Sequence, residues 1–301
     1  MKQLKLFEIE RKQKIYNASP LPFQGQKRYF LKKFKEALYE FPSDAIYVDL
    51  FGGSGLLSHT VKRFYPNARV IYNDYDNFSE RIKNIYFTNL LLQKIRDVIP
   101  KNIKEKAPLS PIHKEKILSI IKNEKSKIDI KTISKSLFYG GTYANKIEDI
   151  FNYKTFYNNI KHSDYNAEGY LEGLEVVHKD YKELIKEFSS LENVIFIYDP
   201  PYLSTNVESY NSVFHWKLTD YLDILDTLNG KKNFFYFTSH RGGLLELLDW
   251  IECRFDIENP FSNAKKISVK ASAINSVYTD FLLYKTQVSD GKNKNLRITQ
   301  R

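Results

Sequence analysis

The chain has 301 residues, 42% hydrophobic and 15% aromatic, enough for one α/β domain with a smaller one inserted or appended. Its lone cysteine, Cys253, excludes an internal disulfide framework. No Cys/His cluster has zinc-ligand spacing and no apolar run suits a signal peptide or membrane helix, so a soluble, cytoplasmic protein without membrane partners is expected. The net charge of +10 is uneven, with ten Lys/Arg against two acids in residues 1–35 and twelve against five in residues 91–136. Two basic segments suit a polyanion partner; a Lys- and Asn-rich bias on solvated helix faces explains them equally well on charge alone.

In chain order, residues 1–19 read as a basic arm without periodicity. Pro20 to Tyr29 is a turn-forming lead-in to a helix with apolar Phe30, Leu31, Phe34, Ala37, Leu38 and Phe41, stopped by Pro42. Ile46 to Phe51 is a buried strand entering Gly52-Gly53-Ser54-Gly55; Leu56 to Tyr65 is helical, and Arg69 to Asp74 is a second strand. This β–Gly-loop–α–β order opens a doubly wound sheet. Residues 79–95 read as one helix. Residues 97–172 are polar and Lys-rich, then Tyr/Asn-rich, with short helical patterns and no strong strands, and read as an inserted, mainly helical subdomain. Strand and helix then alternate again: strands at 174–178, 195–198 and 234–238, helices up to Leu191, over 219–228 and over 244–250, and a further strand expected near 253–258. Val269 to Ala273 and Tyr278 to Tyr284 read as a closing hairpin, and residues 287–301 as a flexible tail. The main domain is thus expected over 20–96 and 173–286.

Two stretches could carry chemistry. Val194 to Tyr198 ends in Asp199-Pro200-Pro201-Tyr202, where two prolines without N–H donors must stop the strand and leave a carboxylate at its carboxyl end. That edge is where open α/β sheets bind ligands. In Asp49-Leu50-Phe51-Gly52-Gly53-Ser54-Gly55, glycines after a strand permit close backbone approach to a ligand, and Asp74 ends the next strand where a carboxylate can accept ribose hydroxyls. Ser58 stands at the third position of a Gly-x-Gly-x-x-Gly, so the pattern by itself fits NAD, FAD or S-adenosylmethionine alike.

Together, Asp-x-Phe-x-Gly-x-Gly at 49–55 and Asp-Pro-Pro-Tyr at 199–202 resemble the Dam-like DNA adenine-N6 methyltransferases of the D12 class, over residues from about 20 to 285. The resemblance implies a mostly parallel, seven-stranded, Rossmann-like methyltransferase sheet with a closing hairpin, and gives the 97–172 insert the role of target recognition. It implies S-adenosylmethionine as cofactor without a metal. Phe23, Lys27 and Asp199 would contact it, with Asp49 and the backbone of Phe51, Gly53 and Gly55 at its methionyl end, Asp74 at the ribose and Asp180 at the adenine. An Asp at a helix start is also an ordinary N-cap, and His178 reads most simply as a strand-end residue.

Asp199, Pro200 and Tyr202 would carry the reaction: Asp199 and the Pro200 carbonyl accept the two amine hydrogens of adenine, and Tyr202 stacks on a base extruded from the duplex. Ser204, Asn206, Tyr210, Asn211, Phe214 and Trp216 offer phosphate contacts and stacking beside that base, although Phe214 and Trp216 also suit the core. His240 reads as structural, since the transfer needs no general base; Lys265, Lys266 and Lys270 suit either phosphate contacts or a solvated edge. The implied partner is double-stranded DNA. RNA adenine methylation, a silent nucleic-acid-binding module on the same fold and a nicotinamide oxidoreductase stay open as alternatives, as do a cognate restriction endonuclease and a monomeric or weakly dimeric state.

Overall fold

A computed structural model describes residues 14–202, 216–255, 259–273 and 276–287. The expected lead-in delivers α1 (Leu31–Leu38), followed by β1 (Ile46–Asp49), α2 (Leu56–Phe64) and β2 (Arg69–Asn73). The helix expected over 79–95 is two, α3 (Phe78–Lys83) and α4 (Ile85–Asp97), because Asn84 leaves helical geometry at φ −87°, ψ 1°. The middle segment supplies α5 (Pro111–Lys122), α6 (Ile130–Leu137) and α7 (Ile147–Asn152). Alternation resumes with β3 (Glu175–Val177), α8 (Tyr181–Phe188), β4 (Val194–Tyr198), α9 (Leu218–Leu228), β5 (Phe234–Ser239) and α10 (Leu244–Phe255), then the hairpin β6 (Lys265–Ala273) and β7 (Ser276–Lys285). The strand expected near 253 does not form there: half-buried Leu245 and Ile251 and buried Leu244 and Leu248 keep a helical period that carries α10 to Phe255. Residues 256–258 lie outside the described residues.

The seven strands are ordered β3-β2-β1-β4-β5-β7-β6; β3 to β5 are parallel, and β7 pairs antiparallel with β5 and β6. The chain builds leftward from β1 and then jumps to β4, so the order reverses between β1 and β4, and a crevice opens at their carboxyl ends. Helices cover both faces. On one, Phe34, Leu38 and Val61 of α1 and α2 pack on Tyr47, Ile195, Ile197, Phe235 and Phe237. On the other, Leu184, Phe188, Ile224 and Leu248 from α8, α9 and α10 pack on Val48, Phe196, Phe234 and Tyr236.

The middle segment has its own core, joining Ile117, Ile121, Ile133, Leu137 and Phe156 to Leu91, Leu92 and Ile95 of α4. α4 thus packs mainly into the middle segment's core, and only its first residue, Ile85, packs with Leu31 of α1 and Leu56 of α2. Arg81 of α3 clamps this body down: its guanidinium meets both oxygens of nearly buried Asp129 at 2.9 and 3.0 Å and donates to the Pro22 carbonyl at 2.8 Å. Buried His59 on α2 forms a second tie. The Tyr16 N–H donates to its Nε2 at 3.0 Å, so its Nδ1–H donates to the Tyr170 carbonyl at 2.7 Å. Burial holds this imidazole neutral, with its pKa lowered to about 4.

Phe34 is fully buried against the rings of Phe235 and Phe237, so Phe34→Ala should cost about 3–5 kcal/mol by chemical denaturation. A loss below about 1 kcal/mol would mean that α1 is not part of the sheet's core.

Candidate active site

Strand alternation explains why polar groups gather at one edge. On the face covered by α1 and α2, Tyr47 is followed two residues later by Asp49, Ile197 by Asp199 and Phe237 by Ser239, while on antiparallel β7 Tyr284 and Leu282 lead back to Asp280. Each row is apolar beneath the helices and turns polar where it emerges from them. Above this edge lies a cleft of about 1580 Å³. A single-ligand pocket is typically about 300–1,000 Å³, so there is room for two reactants.

At its centre the Lys27 ammonium lies 2.6 Å from Asp199 Oδ2 and donates to the Gly25 carbonyl at 2.8 Å. It also stands 5.2 Å from the Tyr202 ring centroid. Asp199 Oδ1 is buried and has no hydrogen-bond partner among the described residues. Burial, aided by the Asp280 charge, pushes the Asp199 carboxyl above the usual carboxylate range, and Lys27 opposes that shift. Two of the three N–H groups of Lys27 are thus engaged within the chain. Lys27 already serves Asp199, and the strand-end prolines keep that carboxylate at the mouth of the crevice.

The glycine loop forms the floor. A Cβ on Gly52 would stand 2.3 Å from the Tyr72 ring and 2.9 Å from the Asn73 carbonyl, so only glycine fits. Gly53 (φ +49°) and Gly55 (φ +73°) take left-handed geometry, and Gly55 leads into α2. Two tyrosine hydroxyls hold the turn, Tyr72 donating to the Gly53 carbonyl at 2.8 Å and Tyr170 to the Ser54 carbonyl at 2.9 Å. Asp49 supports the loop from below. It is fully buried, accepts from the Ser58 hydroxyl at 2.6 Å, and burial raises its pKa to about 7 with help from the Asp199 charge.

Of the expected cofactor contacts, Phe23, Lys27, Phe51, Gly53, Asp180 and Asp199 line the cleft; Asp49 and Gly55 lie behind it. Asp74 does not reach it. Its carboxylate is fully buried and accepts from the Phe78 and Ser79 N–H groups at 2.6 and 2.8 Å and from the Tyr72 hydroxyl at 3.0 Å, locking the turn from β2 into α3. The cleft-lining acid of that turn is Asp76. Asp180 caps α8, accepting from the Lys182 N–H at 2.8 Å, and lines the cleft as well. His178 Nδ1 meets the Asp74 carbonyl at 2.8 Å, a strand-end contact.

At the other end Asp199, Pro200 and Tyr202 all line the cleft. Trp216 does so too while packing, half-buried, against Phe51, Tyr181 and Tyr221. Ser204, Asn206, Tyr210, Asn211 and Phe214 lie outside the described residues. His240 meets the Thr279 backbone, and Lys265 pairs with Glu40 at 2.6 Å, so both have structural partners. Sequence reasoning missed Asp280, whose only signal is an acid at an inward position of a strand otherwise apolar on that face. It also missed Tyr181, and Lys135, Tyr143 and Tyr165, which the middle segment lends to the wall without any periodic signature.

Asp49 gives a pH test. Its folded pKa is raised, so the stability supplied by the protonated form is present below the unfolded value near 4 and lost as pH rises through about 7. Asp49→Asn, which keeps an acceptor for Ser58, should raise the thermal midpoint by about 3–8 °C at pH 8 and by almost nothing at pH 4. An equal difference at both pH values would contradict this.

A family model described as D12 class N6 adenine-specific DNA methyltransferase matches residues 23–238. A Haemophilus influenzae protein named "Putative methyltransferase" is 37% identical over 283 residues, covering 90% of this chain and 93% of that protein. A buried strand-end Asp199 beside a glycine floor, matched by a family model over most of the chain, leads to one conclusion: the chain belongs to the D12 class N6 adenine-specific DNA methyltransferase family.

Proposed function

We propose that the protein transfers a methyl group from S-adenosylmethionine to the exocyclic N6 of an adenine turned out of duplex DNA. The observation that carries this reading is the buried Asp199 Oδ1, an acceptor without a partner among the described residues, adjacent in the chain to the Pro200 carbonyl. Adenine N6 is a poor nucleophile because its lone pair is delocalised into the ring. Two acceptors on its two N–H groups favour a more tetrahedral nitrogen, with the lone pair free to attack. Tyr202 offers a ring face for the base, whose extrusion costs a few kcal/mol. The main contribution is the holding of two reactants in attack geometry, which can supply about 7–11 kcal/mol of the barrier.

The cofactor end fits S-adenosylmethionine: the cleft-lining backbone at Gly52 and Gly53, the rings of Phe23 and Phe51, and the acids Asp76 and Asp180 suit an aromatic and a ribose. When bound, that cofactor supplies an electrophilic sulfonium methyl. Asp76 takes the ribose role first expected of Asp74, and Asp180 combines helix capping with the adenine edge. Lys27 acts chiefly on Asp199, keeping it ionised and turned so that Oδ1 faces the amine. The 97–172 segment would select the target site.

Incubation with labelled S-adenosylmethionine and duplex DNA of several sources, followed by digestion to nucleosides, should yield N6-methyladenine. Asp199→Ala should lower the rate by at least about 100-fold while keeping S-adenosylhomocysteine binding within a few-fold. No N6-methyladenine above the Asp199→Ala background, or label confined to a parallel RNA substrate, would overturn the reading.

A further inference from the structure

The mouth of the cleft at its Asp199 end carries two arginines that the reaction above does not use. Of the seven arginines described, Arg63, Arg69, Arg81 and Arg96 form ion pairs with carboxylates. Arg28 and Arg241 form none among the described residues; both line the cleft, and both are exposed. Each lies instead over a tyrosine. The Arg28 guanidinium stands 4.6 Å from the Tyr29 ring centroid and donates to that hydroxyl at 2.6 Å. The Arg241 guanidinium stands 4.6 Å from the Tyr278 ring centroid.

Their positions follow from the fold. Arg28 and Tyr29 immediately precede α1, Arg241 is in the turn that ends β5, and Tyr278 is on β7 two residues before Asp280. Tyr29 and Tyr278 line the same cleft as Asp199 and Asp280. Four side chains from three separate segments therefore border the cleft that holds Asp199.

We propose that Arg28–Tyr29 and Arg241–Tyr278 form a two-sided clamp for the phosphates flanking the methyl-accepting nucleotide. This rests on the DNA methyltransferase reading above. A guanidinium held beside a ring retains N–H groups for contact with phosphate oxygens, and the ring contact removes part of the rotamer freedom that binding would otherwise cost. An extruded nucleotide needs its backbone held on both sides, because unstacking removes the contacts that fixed it in the duplex. The acids Asp199 and Asp280 line the same cleft, which disfavours a phosphate further in while the uncharged base can pass.

The test compares wild type with Arg28→Gln, Arg241→Gln, the double variant, and Arg254→Gln. Arg254 also stacks on an exposed ring, that of Trp250 at 5.7 Å, but lies outside the cleft lining. Duplex DNA binding is titrated across a salt series, with S-adenosylhomocysteine binding as the check on folding. The clamp predicts weaker DNA binding by roughly tenfold for each cleft arginine and a log–log salt slope reduced by about one per arginine. Cofactor binding should stay unchanged, and Arg254→Gln should match wild type. A double variant with wild-type slope and DNA KM overturns the clamp while leaving the methyltransferase reading intact. Wild-type protein that neither binds nor methylates DNA overturns both.

Discussion

The 2.6 Å contact between Lys27 and Asp199 joins the two halves of the site. Lys27 comes from the turn before α1, Asp199 from the far end of β4, and 171 residues including the whole middle segment separate them in the chain. A carboxylate at this depth is costly unless a cation or donors compensate it. The ammonium compensates one oxygen and leaves the other, Oδ1, buried without a partner among the described residues. The turn that delivers Lys27 is held in turn by α1 on the sheet and by Arg81 on the Pro22 carbonyl. The fold's packing and its chemistry therefore meet in one ion pair.

The acids of the crevice are arranged by strand periodicity rather than by individual loops. Asp49, Asp199 and Asp280 continue rows that are apolar beneath α1 and α2. Their charges are mutually unfavourable: the Asp199 charge raises Asp49, and the Asp280 charge raises Asp199. An electronegative, partly dehydrated edge of this kind suits a cationic sulfonium and disfavours phosphate in the interior. The arginines sit further out, where phosphate belongs.

Much of this was legible in the sequence. The apolar runs at 46–48 and 194–198, broken by glycines in one case and by prolines in the other, placed two strand ends and their carboxylates without reference to tertiary contacts. Legibility stopped where a side chain's partner is set by tertiary structure. Asp74 satisfies the spacing for a ribose ligand, yet the α3 backbone takes both its oxygens, a capping role that its sequence neighbours do not announce. Lys27 was visible as a motif residue, but its engagement with Asp199 depends on α1 docking against β5. Asp280 and the wall residues Lys135, Tyr143 and Tyr165 carry no spacing signal, because their relation to the cleft exists only after the hairpin and the middle segment have packed. The break at Asn84 and the extension of α10 to Phe255 were local choices that periodicity alone leaves undecided.

The role proposed for Lys27 is to keep Asp199 ionised, with one oxygen left to accept from the amine. It is tested most directly by the pH dependence of single-turnover methyl transfer at saturating cofactor and DNA, in wild type and in Lys27→Gln. Removal of the ammonium leaves burial and the Asp280 charge unopposed, so the acid limb of the profile should move to higher pH, with a lower plateau. An acid limb at the same pH in both proteins would contradict the claim.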